Sequence, residues 1–273
     1  MIIKHIEKLS INALKKLCSQ HPSPEILEAL RNDSRKGAAQ LARQLERKLE
    51  TQRKIRERLE ALVVEDRKLL NDEGAVSIIG VDEVGRGPLA GPVVACALLQ
   101  DIKLFNLIYQ QALHLNDSKQ MTEKERNEIY WTIFHNHPYY AFGVVSNTEI
   151  DKINIKHATD LAIKKALDSL FSVIREQALS LGEYVIAVDG NTSPRNFSRC
   201  RAVSGGDAKL AVIASASVMA KVYRDAMMME YEKMYPGYNF AGHKGYGTQE
   251  HLQALRHKGP TPIHRESFIR SYI

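Results

Sequence analysis

Residues 77–99 read SIIGVDEVGRGPLAGPVVACALL, and this stretch decides the fold. Ser77 to Asp82 is a β-branched apolar run, and Pro92 to Leu99 is a second. Such runs between breakers read as strands. The link between them, Gly85-Arg86-Gly87-Pro88-Leu89-Ala90-Gly91, is too rich in glycine and proline for a helix. The two strands are therefore joined too tightly for a βαβ crossover.

Working outward, Tyr140 to Val145 gives a third strand, Glu149 to Leu179 a mostly helical stretch, and Tyr184 to Val188 a fourth strand. That strand is stopped by Asp189-Gly190-Asn191, and Arg199 to Val203 reads as a short fifth. A long helix is expected from Ala208 to about Tyr235, ending at Pro236-Gly237. Strands first and helices later, with one tight hairpin, predict an α/β layout with a mixed sheet. Upstream, residues 1–72 read as helical, with Ser23 as N-cap before Pro24 and with Asp33 or Ser34 capping the next helix. Leu41, Leu45, Leu49, Ile55, Leu59 and Leu62 recur there at helical spacing, interleaved with Arg43, Arg47, Lys48, Arg53, Lys54, Arg56 and Arg58. Those charges are either a solvated face or an accessory grip on nucleic acid. The turn Asn71-Asp72-Glu73-Gly74 sets the expected boundary, giving a helical extension over 1–72 and a second domain over 73–273.

Composition excludes several classes. The 273 residues are 44% hydrophobic and 26% charged, an ordinary globular balance. No apolar run approaches the roughly 20 residues that span a bilayer, and Lys4, His5, Glu7 and Lys8 interrupt any secretory core, so a cytoplasmic address and no membrane partner are expected. Cys18, Cys96 and Cys200 are dispersed and odd in number, which argues against disulfides and thiolate zinc, and they are expected to be reduced and mostly buried. The net charge of +6 suits a polyanionic partner without proving one.

The acids carry the chemistry. Asp82 and Glu83 close an apolar strand, Asp189 closes another in the run YVIAVDG, and Asp207 stands before the long helix, where a plain N-cap is the simpler reading. Adjacent strands ending at one sheet edge can gather all four. Carboxylates so close repel one another unless cations lie between them, and oxygen ligands without His or Cys suit Mg²⁺ or Mn²⁺. Two such ions can activate water against a phosphodiester.

The runs GVDEVGRGPLAGPVVACALL, LNDSKQMTEKER, VDGN, GGDAKLAVIASASVMAKVYRD and GHKGYGTQEHLQALRHKGPTPIHRESF resemble, in order, the signature of the ribonuclease HII family, over roughly residues 77–268. The helical start of the chain is similar to that of longer bacterial members. The resemblance implies a ribonuclease H-like fold and an endonuclease that uses two divalent ions, Mn²⁺ or Mg²⁺, held by Asp82, Glu83, Asp189 and Asp207. It implies that Gly85, Arg86 and Gly87 read the 2′-hydroxyl of a ribonucleotide through backbone groups, with Tyr246 stacking on the deoxyribose that follows. The implied substrates are RNA–DNA hybrids and duplex DNA containing single ribonucleotides, cut on the 5′ side to leave 3′-hydroxyl and 5′-phosphate ends. A monomer is the expected state. Ser118 and Lys119 resemble a phosphate-contacting pair, although Gln120 stands where the family commonly has lysine. Lys221 and Asp225, one helical turn apart, are either a simple ion pair or a support behind the metal site. The basic set His243, Lys244, Arg256, His257, Lys258, His264 and Arg265 is expected along a substrate groove, and Trp131 and Phe134 in the core.

Three other functions compete. A phosphate-cradling nucleotide domain would put Asp82 and Glu83 against the phosphates, and no helix pattern follows the glycines. A hybrid-binding module without catalysis does not require an intact set of four acids. The sister ribonuclease HIII lacks the glycine-arginine-glycine element and carries a different N-terminal domain.

Overall fold

A computed structural model describes residues 8–110, 115, 118–191 and 197–272. Asn116 and Asp117 of the LNDSKQ run lie outside the described residues. The chain divides into two compact units, Met1–Arg58 and Leu59–Ile273.

The first unit is helical. Ser10 caps α1 (Ile11–Gln20), and Ser23 caps α2 (Pro24–Arg31) by accepting from the Ile26 amide at 3.3 Å. Asp33 accepts from the backbone N–H of Arg35 at 3.0 Å and pairs with its guanidinium, ahead of α3 (Lys36–Glu73). Leu14, Ile26, Leu30, Leu41 and Leu45 form the core of this unit. From Glu46 to Arg58 no residue of α3 is buried. Burial resumes at Leu59, Leu62 and Val63, which belong to the core of the second unit. That is why the units divide earlier than the turn at 71–74. Two cations of the exposed stretch are already engaged, Arg53 with Glu50 and Glu57, and Lys54 with Glu50.

In the second unit, β1 (Ser77–Val84), β2 (Val93–Gln100), β3 (Tyr140–Val145), β4 (Tyr184–Asp189) and β5 (Cys200–Val203) form one sheet in the order β3-β2-β1-β4-β5. The β1–β2 and β2–β3 pairs are antiparallel; β1–β4 and β4–β5 are parallel. The mixed sheet expected from the short glycine link is present. Because strand side chains alternate, Ile79, Val81 and Val188 face α6 (Asn147–Glu176), whereas Ile78, Val185 and Ala187 face the opposite side, covered by α7 (Ala211–Met234). Gly143 lets α6 approach β3, since a Cβ there would collide with the Ala162 carbonyl.

Four expectations need correction. The region between β2 and β3, left without elements by the sequence reading, holds α4 (Ile102–Gln110) and α5 (Glu123–Asn136). The second starts with a capping box between Thr122 and Glu125. On α5, Ile129, Tyr130 and Ile133 take the buried face, so Trp131 and Phe134 are 51% and 42% exposed rather than core. Both acids of the 82–83 pair lie inside β1, which runs on to Val84. Finally, Asp207 is not the N-cap of the long helix. It sits in a 3-10 turn, Gly206–Ala208, and Leu210 holds the cap position of α7. The remaining helices are α8 (Phe240–His243), α9 (Gln249–Lys258) and α10 (Glu266–Ile269). The three cysteines are free and buried, and no helix among the described residues is long and apolar enough to cross a membrane.

Candidate active site

Strand register brings the first acids together. In the parallel pair, Val81 lies beside Val188, so the next residues, Asp82 and Asp189, stand side by side on the α7 face. Asp82 is only 7% exposed. It accepts the Glu83 amide at 2.7 Å and is hydrogen-bonded by Ser217 of α7. Asp189 accepts the Gly206 amide at 2.6 Å, which draws the turn carrying the buried Asp207 against the end of β4. Glu83 is held by Arg86 at 3.1 Å.

A groove of about 550 Å³ opens here, lined by Asp82, Glu83, Asp189, Gly85, Arg86, Gly87, Ser118, Lys119 and Tyr246. Arg126 and Ser217, which sequence reasoning did not assign to the site, line it as well, as does Lys221, for which a support behind the metal site was one of two readings. Asp207 is buried and is not among the lining residues. Ser118 is buried and shares a 2.9 Å hydrogen bond with Ser217, while Lys119 is exposed. Lys221 pairs with Asp225 at 2.8 Å.

Burial pushes the Asp82 carboxyl well above the usual range, and the charges of Glu83 and Asp189 push it further. Burial also raises Glu83, with Arg86 opposing and Asp189 adding. This is the electrostatic signature of carboxylates sharing one site. Among the described residues no three such side chains converge closely enough to chelate an ion as they stand; Glu83 is paired with Arg86 and Asp189 with the Gly206 amide. The donor set is nonetheless all oxygen, partly buried and mutually repelling, which fits a hard divalent cation.

The glycine turn is held from behind by two arginines that sequence reasoning missed or placed elsewhere. Arg265 is fully buried and donates to the carbonyls of Gly85 (2.5 Å), Arg86 (2.9 Å) and Gly91 (3.0 Å). Arg224 of α7, equally buried, donates to Ala90 (3.1 Å), Pro92 (2.9 Å) and Lys244 (2.9 Å). Burial lowers the two guanidiniums to about 9 and about 10, so both remain charged at neutral pH. Gly85 has φ +92°, and a Cβ there would collide with Arg224. Gly87 faces Tyr246, whose ring would lie 3.6 Å from a Cβ at that position.

Tyr246 is in turn fixed by histidines. Its carbonyl accepts from His251 Nδ1 at 2.8 Å, which leaves His251 Nε2 bare to accept from His264 Nε2 at 3.0 Å. His264 Nδ1 then accepts the Thr261 amide at 2.8 Å. Each ring is committed to one neutral tautomer. Burial lowers both, His264 to about 4. None of the basic residues His243, Lys244, Arg256, His257, Lys258, His264 and Arg265 lines this groove, and His264 and Arg265, expected along a substrate groove, are instead buried, whereas Arg256, His257 and Lys258 are exposed.

Comparison with known proteins finds one family. The family model described as Ribonuclease HII matches residues 79–271, and that described as Ribonuclease HII N-terminal domain matches residues 10–70. The chain is 41% identical over 269 residues to a ribonuclease HII of Ligilactobacillus salivarius, covering 96% of each chain. It is 40% identical over 251 residues to one of Clostridioides difficile, covering 91% of each. Among solved structures, the ribonuclease H2 from Pyrococcus horikoshii OT3 superposes with a TM-score of 0.57 at 24% identity, over 72% of this chain and 97% of that one.

Proposed function

The chain belongs to the ribonuclease HII family, nucleases acting on RNA–DNA hybrids, and we propose that it also incises duplex DNA on the 5′ side of a single embedded ribonucleotide. The observation that carries this reading is the groove in which Asp82 and Asp189, adjacent across β1 and β4, face the Gly85-Arg86-Gly87 turn and Tyr246.

In this reading Asp82, Glu83, Asp189 and Asp207 hold two divalent ions, Mg²⁺ or Mn²⁺. Bound there, such ions supply the positive charge that lowers the pKa of water and offsets charge on the leaving oxygen. Ser217 and the Glu83 amide orient the Asp82 carboxylate, and the Gly206 amide orients that of Asp189. Backbone groups of Gly85, Arg86 and Gly87 recognise the 2′-hydroxyl, since a turn without bulky side chains lets a sugar approach the main chain. Tyr246 packs on the following deoxyribose, and Ser118 and Lys119 face the phosphate. Hydrolysis leaves a 3′-hydroxyl and a 5′-phosphate without a covalent enzyme intermediate.

The test is cleavage of a duplex holding one ribonucleotide and of a long hybrid, in Mg²⁺, Mn²⁺ or chelator, by wild type and Asp82→Asn. The expected result is a metal-dependent 5′ cut in both substrates, reduced by on the order of 10³ or more in the variant. Cleavage of the long hybrid alone would refute the reading of the glycine turn, and tight binding without cleavage would leave a binding module.

A further inference from the structure

Asp66, near the end of α3, is a buried acid for which the chemistry above has no use. It is fully buried within the second unit, and neither carboxyl oxygen has a hydrogen-bond partner of ordinary geometry. A buried polar group in that condition is costly, and one that persists asks for a reason. Burial pushes its carboxyl up to about 7, while the Gln100 side chain and the backbone N–H groups of Val212 and Ala211 oppose the rise. Those two amides open α7.

The first amides of a helix have no partner inside it. On α7 the shortage is acute, because the cap residue is Leu210, without a side-chain acceptor, and the first turn holds no acid. Leu62 and Val63, one turn before Asp66, pack in one core with Ala211 and Val212, so the buried carboxyl stands beside the amides that open α7. That place is coupled to the site. Leu210 donates to the Gly206 carbonyl at 2.8 Å, and Gly206 lies against Ile213 so closely that a Cβ would sit 2.5 Å from Ile213 Cδ1. The first turn of α7 therefore sets the 3-10 turn that carries Asp207 and whose Gly206 amide grips Asp189.

We propose that Asp66 is a positioning residue for the acidic site: its carboxyl oxygen replaces the missing N-cap of α7 and so fixes the turn that bears Asp207 and holds Asp189. The inference rests on the assignment of those acids to the reaction. It also explains why an acid is kept in a core that would pack more stably without one.

Three variants separate a cap from mere filling. Asp66→Asn keeps an oxygen suited to an N-cap, so it is expected to retain kcat within about threefold of wild type. Asp66→Leu removes the acceptor and the cost of burying it. Its melting temperature is expected to equal or exceed that of wild type, while kcat on the single-ribonucleotide duplex falls roughly tenfold with KM within about twofold. Hydrogen exchange at the amides of Ala211–Ile213 should be about fivefold faster in the leucine variant and unchanged in the asparagine variant. Should leucine prevent folding, Asp66→Ala carries the same exchange comparison. Wild-type kcat and exchange in Asp66→Leu would overturn the proposal, as would a joint loss of melting temperature and kcat in all the variants. A wild type that does not cut would refute the assigned function instead, and the exchange comparison would still decide whether Asp66 caps α7.

Discussion

Arg265→Met tests whether the recognition turn is held from behind. The guanidinium is fully buried, and its bonds to the Gly85 and Gly91 carbonyls are buried while that to Arg86 is partly so. Methionine fills most of the alkyl volume, so the cavity left is small and the loss is mainly of hydrogen bonds. Each buried acceptor left without a partner costs about 1–3 kcal/mol. Two such carbonyls, a partly wetted third, and the contact of the guanidinium over the Phe268 ring at 5.1 Å together give about 3–6 kcal/mol. That is a large part of the stability of an ordinary domain, about 5–15 kcal/mol. Urea unfolding at pH 7.5 measures it, with Arg256→Met, an exposed arginine of α9, as a control expected within about 0.5 kcal/mol of wild type. The folded fraction of Arg265→Met should incise a single ribonucleotide at least tenfold less efficiently, mostly through KM, because the turn loses its frame while the acids keep theirs. A variant within about 1 kcal/mol of wild type and with unchanged kcat/KM would refute the argument.

The two glycines of the same turn should respond oppositely. Gly85→Ala forces a side chain into a positive φ and against Arg224, so it should melt well below wild type or fail to accumulate. Gly87→Ala meets no atom nearer than 3.6 Å, so its melting temperature should match wild type while incision falls at least tenfold; normal incision would remove Gly87 from substrate contact. The histidine chain makes a pH prediction. His264 titrates near 4 in the folded protein and near 6.5 once unfolded, so the unfolded chain binds the extra proton between those values. Stability is therefore full above about pH 6.5 and declines as pH falls toward 4, by up to about 3 kcal/mol from this group. Urea midpoints from pH 4 to 7 should show a shallower slope in His264→Leu than in wild type, and equal slopes would sink the neutral-chain reading.

The acids were legible because strand physics exposes them. A carboxylate pair in the apolar run before Gly85, and Asp189 closing another, are conspicuous as the only acids in the five strands, and parallel pairing of β1 with β4 brings Asp82 and Asp189 side by side. The turn between β1 and β2 was legible from its glycines and prolines. The arginines behind it were not. A basic residue in a loop looks like surface, and nothing local says that Arg265 reaches a carbonyl 180 positions away. The available signal lay in the turn itself: a glycine- and proline-rich loop cannot satisfy its own carbonyls, so buried donors must come from elsewhere. Trp131 and Phe134 misled for a different reason. Helix α5 carries large apolar residues on more than one face, and hydrophobicity alone does not say that Ile129 and Ile133 take the inner one. Asp207 looked like a cap because acids favour helix starts; the structure gives the cap position to Leu210.

On the proposed function, chemistry and recognition would be supported by different parts of the second unit. The acids depend on the pairing of β1 with β4, on Ser217 and on the turn at Gly206. The recognition turn depends on Arg224, Arg265 and the strand-like contact of Ala90 with His264. Tyr246 depends on His251 and, through it, on His264. Arg265 and His264 are neighbours in sequence, so one short segment frames both walls that would grip the sugars on either side of the cut. Substitutions there should act together on KM and on the choice between single ribonucleotides and long hybrids, because they move both walls at once. Substitutions at Gly206 should act on kcat, because its amide holds Asp189, whereas those at Ser217 should act on kcat and KM together, because it bonds both Asp82 and Ser118.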